Sequence, residues 1–330
     1  MSLLAPTLQA FFTERMITQK NASPRTLVAY RNTFRLLLHF AQQQTGKQPC
    51  ELDFADLDAP LISAFLDHLE HERDNTPRTR NARLAAIHSM FRYAALRHPE
   101  HSASIARVIE IPVKRCEHAT VSYLTGDEIQ ALVAAPDRTT WLGRRDHALV
   151  LLAIQTGLRV SELVALCCKD VSTSNGAHVR VRTGKGRKQR CTPLSDETKA
   201  VLATWLAERQ GTPEDPLFPS RRGGSLSPDA VAWLLAKHAR AAARDCPSLT
   251  RMKVTPHVLR HTSAMMLRAV GVDLSVIALW LGHESIESTQ IYLHADLALK
   301  EKALALTAPV GTPPGRYRPP DALLAFLDRL

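Results

Sequence analysis

Six side chains in this sequence suit chemistry at a phosphorus centre, and each lies where helical spacing breaks or is about to. Arg159 stands in T-G-L-R-V-S-E-L, just past a helix-ending glycine and ahead of Ser161, a good cap for the next helix. Lys185 occupies the tip of T-G-K-G-R-K between two glycines, which let a backbone approach a ligand and let the tip move. His257 and Arg260 share one helical turn in T-P-H-V-L-R-H-T. His283 follows Gly282 in W-L-G-H-E-S, and Tyr292 comes nine residues later in S-T-Q-I-Y-L-H. Singly these residues are ordinary: Arg159 pairs as well with Glu162, and Tyr292 packs as well in a core. As a set they fit attack on a phosphodiester. Two arginines donate paired hydrogen bonds to non-bridging oxygens, where charge builds in a pentavalent transition state. A tyrosine hydroxyl is a usable nucleophile, but its free pKa of about 10 calls for a proton acceptor, and His257 and His283 are both candidates. The lysine can return a proton to the leaving 5′ oxygen.

Bulk composition points to the same class of partner. The 330 residues hold 42 Lys and Arg against 32 Asp and Glu, a formal charge of +10, which fits nucleic acid or an acidic membrane surface. No apolar run is long enough to span a bilayer, and the first residues, M-S-L-L-A-P-T-L, lack a secretory pattern. A cytoplasmic protein is therefore expected, away from membranes. Its six cysteines are scattered, with Cys167 and Cys168 adjacent rather than in a C-x-x-C clamp, and read as reduced small hydrophobes. Neither a P-loop nor a carboxylate cluster suited to paired magnesium ions occurs, so no cofactor and no metal is expected.

The elements that must position these groups are mainly helical. S-P-R-T-L-V-A-Y opens a helix at Ser23 with Pro24 in its first turn, and Leu27, Tyr30, Phe34, Leu37 and Ala41 form its apolar stripe. T-P-R-T-R-N-A-R repeats that grammar from Thr76, with Leu84, Ile87, Phe91 and Ala94 facing inward. Arg25 and Arg31 on the first helix, and Arg78, Arg80 and Arg83 on the second, carry positive charge with no balancing acid nearby. Arginines beside a helix start are placed to contact a DNA backbone. The alternative is two solvated basic faces. A further helix is expected from Asp58, no strand of any length before residue 110, and an irregular linker over 111–122. Beyond it the spacing is again mostly helical, interrupted by a short hairpin near 178–194. Val179 and Val181 alternate with arginines there, and Arg187 and Lys188 extend the basic tip beside Lys185.

Arg159 in T-G-L-R-x-S-E-L, Lys185 on the hairpin, His257-x-x-Arg260, His283 in L-G-H and Tyr292 nine residues on together resemble the tyrosine recombinases of the phage-integrase type, the Xer-like integrases most nearly. All six catalytic positions of that pattern are filled with its preferred residue types. The resemblance implies a helical, SAM-like core-binding domain over 1–110 and a mostly helical catalytic domain with a small β-sheet over 123–308. It also implies metal- and ATP-independent strand cleavage through a 3′-phosphotyrosyl link, with strand exchange by way of a Holliday junction. Double-stranded DNA is the implied partner, bound by a homotetramer or mixed tetramer. At His261 the family pattern implies support of the helix rather than chemistry.

Two rival readings fit the same residues. A metal-dependent nuclease or transposase is suggested by His257 and His261 at zinc-pair spacing, although no glutamate follows the first histidine. The other is a DNA-binding accessory protein that keeps the fold and lacks catalysis. The early start of the core-binding helices suits simple sites without accessory arms, and the basic, alanine-rich composition suits a mobile-element integrase. Past Tyr292, residues 309–320 hold five prolines and two glycines and read as an extended connector. Residues 321–330 then form a short apolar helix, expected to dock on an adjacent subunit.

Overall fold

The computed structural model describes residues 4–116, 121–182, 189–283, Thr289 and Tyr292. The chain divides into two compact units, Met1–His118 and Ala119–Leu330. Lys185, Arg187 and Lys188, the connector at 309–320 and the expected terminal helix at 321–330 all lie outside the described residues.

In the first unit, α1 (Leu4–Ala10) runs into a wider π-helical stretch over Phe11–Gln19. It is followed by α2 (Pro24–Thr45), α3 (Ala59–His71), α4 (Pro77–Ala95) and α5 (Ser102–Ile109). Ser23, Asp58 and Thr76 cap α2, α3 and α4, each accepting a hydrogen bond from a first-turn backbone N–H, with a proline in each first turn. Phe11, Phe34, Leu37, Phe65, Leu84, Ile87 and Phe91 form the core.

One arginine departs from the sequence reading. Arg80 does not join the exposed basic face but is only 5% exposed. It precedes Leu84 and Ile87 by four and seven positions, so the helix turns it inward with them. Its Nη1 donates to the Pro112 carbonyl at 3.0 Å and to Asn81 Oδ1 at 3.1 Å. Asn81 in turn donates to Lys114 O and accepts from Lys114 N. The start of α4 thus holds residues 112–114 in place. Arg25, Arg31 and Arg78 are exposed. Arg83 is half-buried, and burial, with Arg73 close by, lowers its pKa.

The second unit comprises α6 (Gly126–Ala134), α7 (Trp141–Thr156), α8 (Val160–Val164), β1 (Val171–Ser172), β2 (His178–Val181), β3 (Arg190–Pro193), α9 (Asp196–Arg209), α10 (Pro228–Ala242), α11 (Pro256–Ala269) and α12 (Leu274–Leu281). The strands form one antiparallel sheet in the order β1-β2-β3, with Val181 opposite Arg190 and Val179 opposite Thr192. Cross-strand partners share a face. Arg190 therefore lies on the inward face with Val179 and Val181, both buried. Helix α7 is the central element: its run Ala148–Ile154 is buried throughout and packs with Leu163, Val179, Leu202, Leu235 and Leu259.

Arg145 and Asp146 on α7 are buried too, and they are paired. Arg145 Nη2 lies 2.6 Å from Asp146 Oδ1, His238 Nε2 lies 2.8 Å from Asp146 Oδ2, and Arg145 Nη1 donates to Pro219 O at 2.7 Å. This network ties α10 and the 219 loop to α7.

Candidate active site

Helix ends build the site. Helix α7 stops at Gly157 (φ 61°) and α12 at Gly282 (φ 64°), both left-handed. A side chain at either would be strained in backbone and in space. A Cβ on Gly157 would meet Leu281 Cδ2 at 2.6 Å, and one on Gly282 would meet Arg190 Nη1 at 2.7 Å. A helix C-terminus leaves its last carbonyls without intrahelical donors and carries a partial negative charge. Arginines meet that need here. Arg190 Nε donates to Trp280 O at 3.1 Å, Arg260 Nη2 to Leu281 O at 2.7 Å, and Arg159 Nη2 to Gly282 O at 2.8 Å. Three consecutive carbonyls each receive one guanidinium. The other arm of Arg260 reaches Gly157 O at 2.6 Å.

Glu162 supplies the counter-charge. It is only 3% exposed, and its carboxylate accepts from the Arg159 backbone N at 2.9 Å, Arg159 Nη1 at 3.0 Å and Arg190 Nη2 at 2.7 Å. Burial pushes its pKa up, but Arg190 and Arg159 outweigh that and keep the carboxyl below its ordinary value. Among the described residues three guanidiniums face one carboxylate, leaving an excess of two positive charges. Burial and the nearby Arg159 lower the pKa of Arg260 to about 10, so it stays charged at neutral pH. Such a site is short of an anion.

The nucleophile candidate sits beside this cluster. Tyr292 is 1% exposed and packs with Ala264, Met265, Ile277 and Leu281. Burial raises its pKa, and Arg260 and Arg159 offset part of the rise. Its hydroxyl lies 3.1 Å from His261 Nδ1. The His283 ring lies nearly parallel to the tyrosine ring, with centroids 6.4 Å apart, and its Nδ1 meets Thr289 Oγ1 at 2.7 Å. His283 is neutral at pH 7: burial, then Arg260 and Arg159, bring its pKa down to about 4. His257 is exposed, and its ring lies 6.3 Å from that of His261. Among the described residues no group of three His, Cys, Asp or Glu side chains is arranged to hold a metal.

Known proteins match nearly the whole chain. Residues 122–298 match the model described as "Phage integrase family", and residues 10–98 match "Phage integrase, N-terminal SAM-like domain". This chain belongs to the phage integrase family. It is 55% identical to the integrase/recombinase y4rC of Sinorhizobium fredii, over 99% of this chain and 98% of that one. It is 32% identical to the tyrosine recombinase XerD of Pseudomonas putida, over 91% and 96% of the two chains. A Tn1549 transposon integrase solved with circular-intermediate DNA shares the fold, with a TM-score of 0.69 at 17% identity over 91% of this chain and 98% of that one.

The family resemblance read from the motifs is thus borne out. Its activity is site-specific recombination, the cleavage and rejoining of DNA strands. Among the described residues no helix is long and apolar enough to cross a membrane. Of the sequence-selected residues, Arg159, Arg260, His283 and Tyr292 come together, and His257 lies one turn along α11 from His261. Sequence reasoning left three neighbours of these residues outside the site. Glu162 had a signal, since a glutamate three residues after a helix start reaches back to its backbone. Arg190 had a weaker one, the period-two spacing that places it inward with Thr192. His261 was assigned to helix support, yet it touches the tyrosine hydroxyl. Nothing in a single sequence orients one of two histidines on adjacent turns toward a tyrosine thirty-one positions away.

Proposed function

We propose that Tyr292 is the nucleophile of this recombinase and that Arg159 and Arg260 clamp the scissile phosphate. The observation that carries this is the charge imbalance beside a buried tyrosine: three anchored guanidiniums and one carboxylate. In the cleavage step the Tyr292 Oη–H bond breaks and its proton passes to a neighbouring imidazole, while an Oη–P bond forms and the P–O5′ bond breaks. The departing O5′ takes a proton from Lys185. Arg159 and Arg260 meet the growing negative charge on the non-bridging oxygens, with geometry fixed beforehand by helix-end carbonyls. His257 and His283 line the site and donate to phosphate. A 5′ hydroxyl from a second duplex then reverses the step. The phosphotyrosyl bond conserves the energy of the original linkage, so neither ATP nor a metal is needed.

Arg25, Arg31, Arg78 and Arg83, with Arg187 and Lys188, grip the backbone of double-stranded DNA, and a homotetramer or mixed tetramer holds two duplexes. Residues 1–110 bind the core site, 111–122 link, and 123–308 carry the chemistry. Residues 309–330 reach a neighbouring protomer. The enzyme works in the cytoplasm on a mobile element. The test is Tyr292→Phe, assayed on a nicked half-site duplex recovered by selecting a randomised DNA pool against the wild-type chain. Half-site affinity should be unchanged and the covalent protein–DNA adduct absent. An adduct in the variant would overturn the assignment.

A further inference from the structure

The proton that Tyr292 must lose has a receiver on the page, and it is neither of the two histidines the sequence offered. His283 lies face to face with the tyrosine ring and spends its Nδ1 on Thr289 Oγ1. His257 stands a turn away at the exposed start of α11. His261 follows Arg260 directly, about 100° around the helix, so the phosphate clamp and this imidazole look out from adjacent faces. Tyr292 is seated over the ridge that His261 forms with Ala264 and Met265, three and four positions on. The rings meet edge to face at 5.7 Å, and the contact places Nδ1 3.1 Å from Oη. Resting on the assignment of Tyr292 as nucleophile, we propose that His261 is a catalytic residue that takes the hydroxyl proton of Tyr292 as that oxygen attacks phosphorus.

The surroundings suit an acceptor. Burial first, then the neighbouring His257 and Arg260 on its own helix, lower the pKa of His261. Tyr292 faces it from beyond α12, and so does His283, whose own pKa His261 helps to depress. The imidazole is therefore neutral at physiological pH, and with its hydrogen on Nε2 it leaves the Nδ1 lone pair to the tyrosine hydroxyl. Transfer makes an imidazolium beside Arg260, which is costly while the site is empty. A phosphodiester held by Arg159 and Arg260 brings the compensating negative charge, so the base strengthens once DNA is in place. The balance is simple: Oη–H breaks and Nδ1–H forms as Oη–P forms. O5′ is protonated separately, and the His261 proton returns to Oη when the phosphotyrosyl bond is broken in rejoining.

Adduct formation on the nicked half-site duplex, followed in single turnover across pH, tests this. His261→Asn should still form the adduct, but roughly 10²-fold more slowly at neutral pH, as expected for loss of a general base. The deficit should shrink as pH rises toward the tyrosine's own ionisation. Imidazole added to His261→Ala should restore part of the rate. An unchanged rate, or a loss equal at every pH and untouched by imidazole, would reduce His261 to a packing role. Should both variants unfold by circular dichroism, the intact His261 decides. Its ring ¹⁵N shifts should change between wild type and Tyr292→Phe, and unchanged shifts would overturn the proposal. Adduct in Tyr292→Phe would instead defeat the nucleophile assignment, so the two failures are distinguishable.

Discussion

Two buried charge clusters in the catalytic unit use the same residue types and end in different balances. Around Asp146, one carboxylate is shared by Arg145 and His238, and the spare arm of Arg145 closes on the Pro219 carbonyl. Everything there is matched inside the chain. Around Glu162, one carboxylate serves Arg159 and Arg190 while Arg260, among the described residues, leans on carbonyl dipoles. Carbonyls orient a guanidinium without cancelling its charge. The first cluster holds elements together, and the second waits for an anion. The same contrast appears on a smaller scale in the N-terminal unit, where Arg80 has found the Pro112 carbonyl and Arg78 faces solvent.

Exchanging the two clusters' losses should break the comparison if it is wrong. Arg260→Ala removes transition-state charge stabilisation and should slow adduct formation by roughly 10²–10³-fold, with little change in the urea midpoint. Asp146→Ala leaves Arg145 buried without its partner and should cost roughly 3–5 kcal/mol of stability, with a near-normal rate in the molecules that stay folded. Equal loss of stability in both would erase the distinction.

Protonation sharpens it. His283 has a folded pKa of about 4, below the unfolded value of about 6.5. Between those values the unfolded chain binds a proton that the folded chain refuses, so stability should fall as pH drops from about 6.5 to about 4. His283→Gln should flatten that part of a urea-unfolding profile. Inorganic phosphate, by neutralising the arginines, should flatten it in the wild type. The smallest effect belongs to the first unit. Arg78→Ala should lower the slope of log affinity against log salt by about 0.9, the contribution of one phosphate contact. Arg80→Ala should leave the slope alone and lower the melting temperature.

The fold was largely legible because its signals are local. Ser23, Asp58 and Thr76 announce helix starts, and Gly157 and Gly282 announce stops, through interactions spanning a turn or less. The grouping of Tyr292 with Arg159 and Arg260 was legible because few residue types suit such chemistry and the structure brings them together. Arg80 was misread because its distance to Leu84 matters more than its charge. The contacts of His261 and Arg190 were not legible because their partners, Tyr292 and the end of α12, are distant in sequence and close only after folding.

The end of α12 has one more consequence. Its three terminal carbonyls hold arginines that arrive from the start of α8, from β3 and from α11. A fluctuation that frays this last turn loosens all three at once, leaving Arg260 on the Gly157 carbonyl and Arg159 and Arg190 on Glu162. The orientation of all three guanidiniums is thus tied to one helix end, while their second anchors hold them near it.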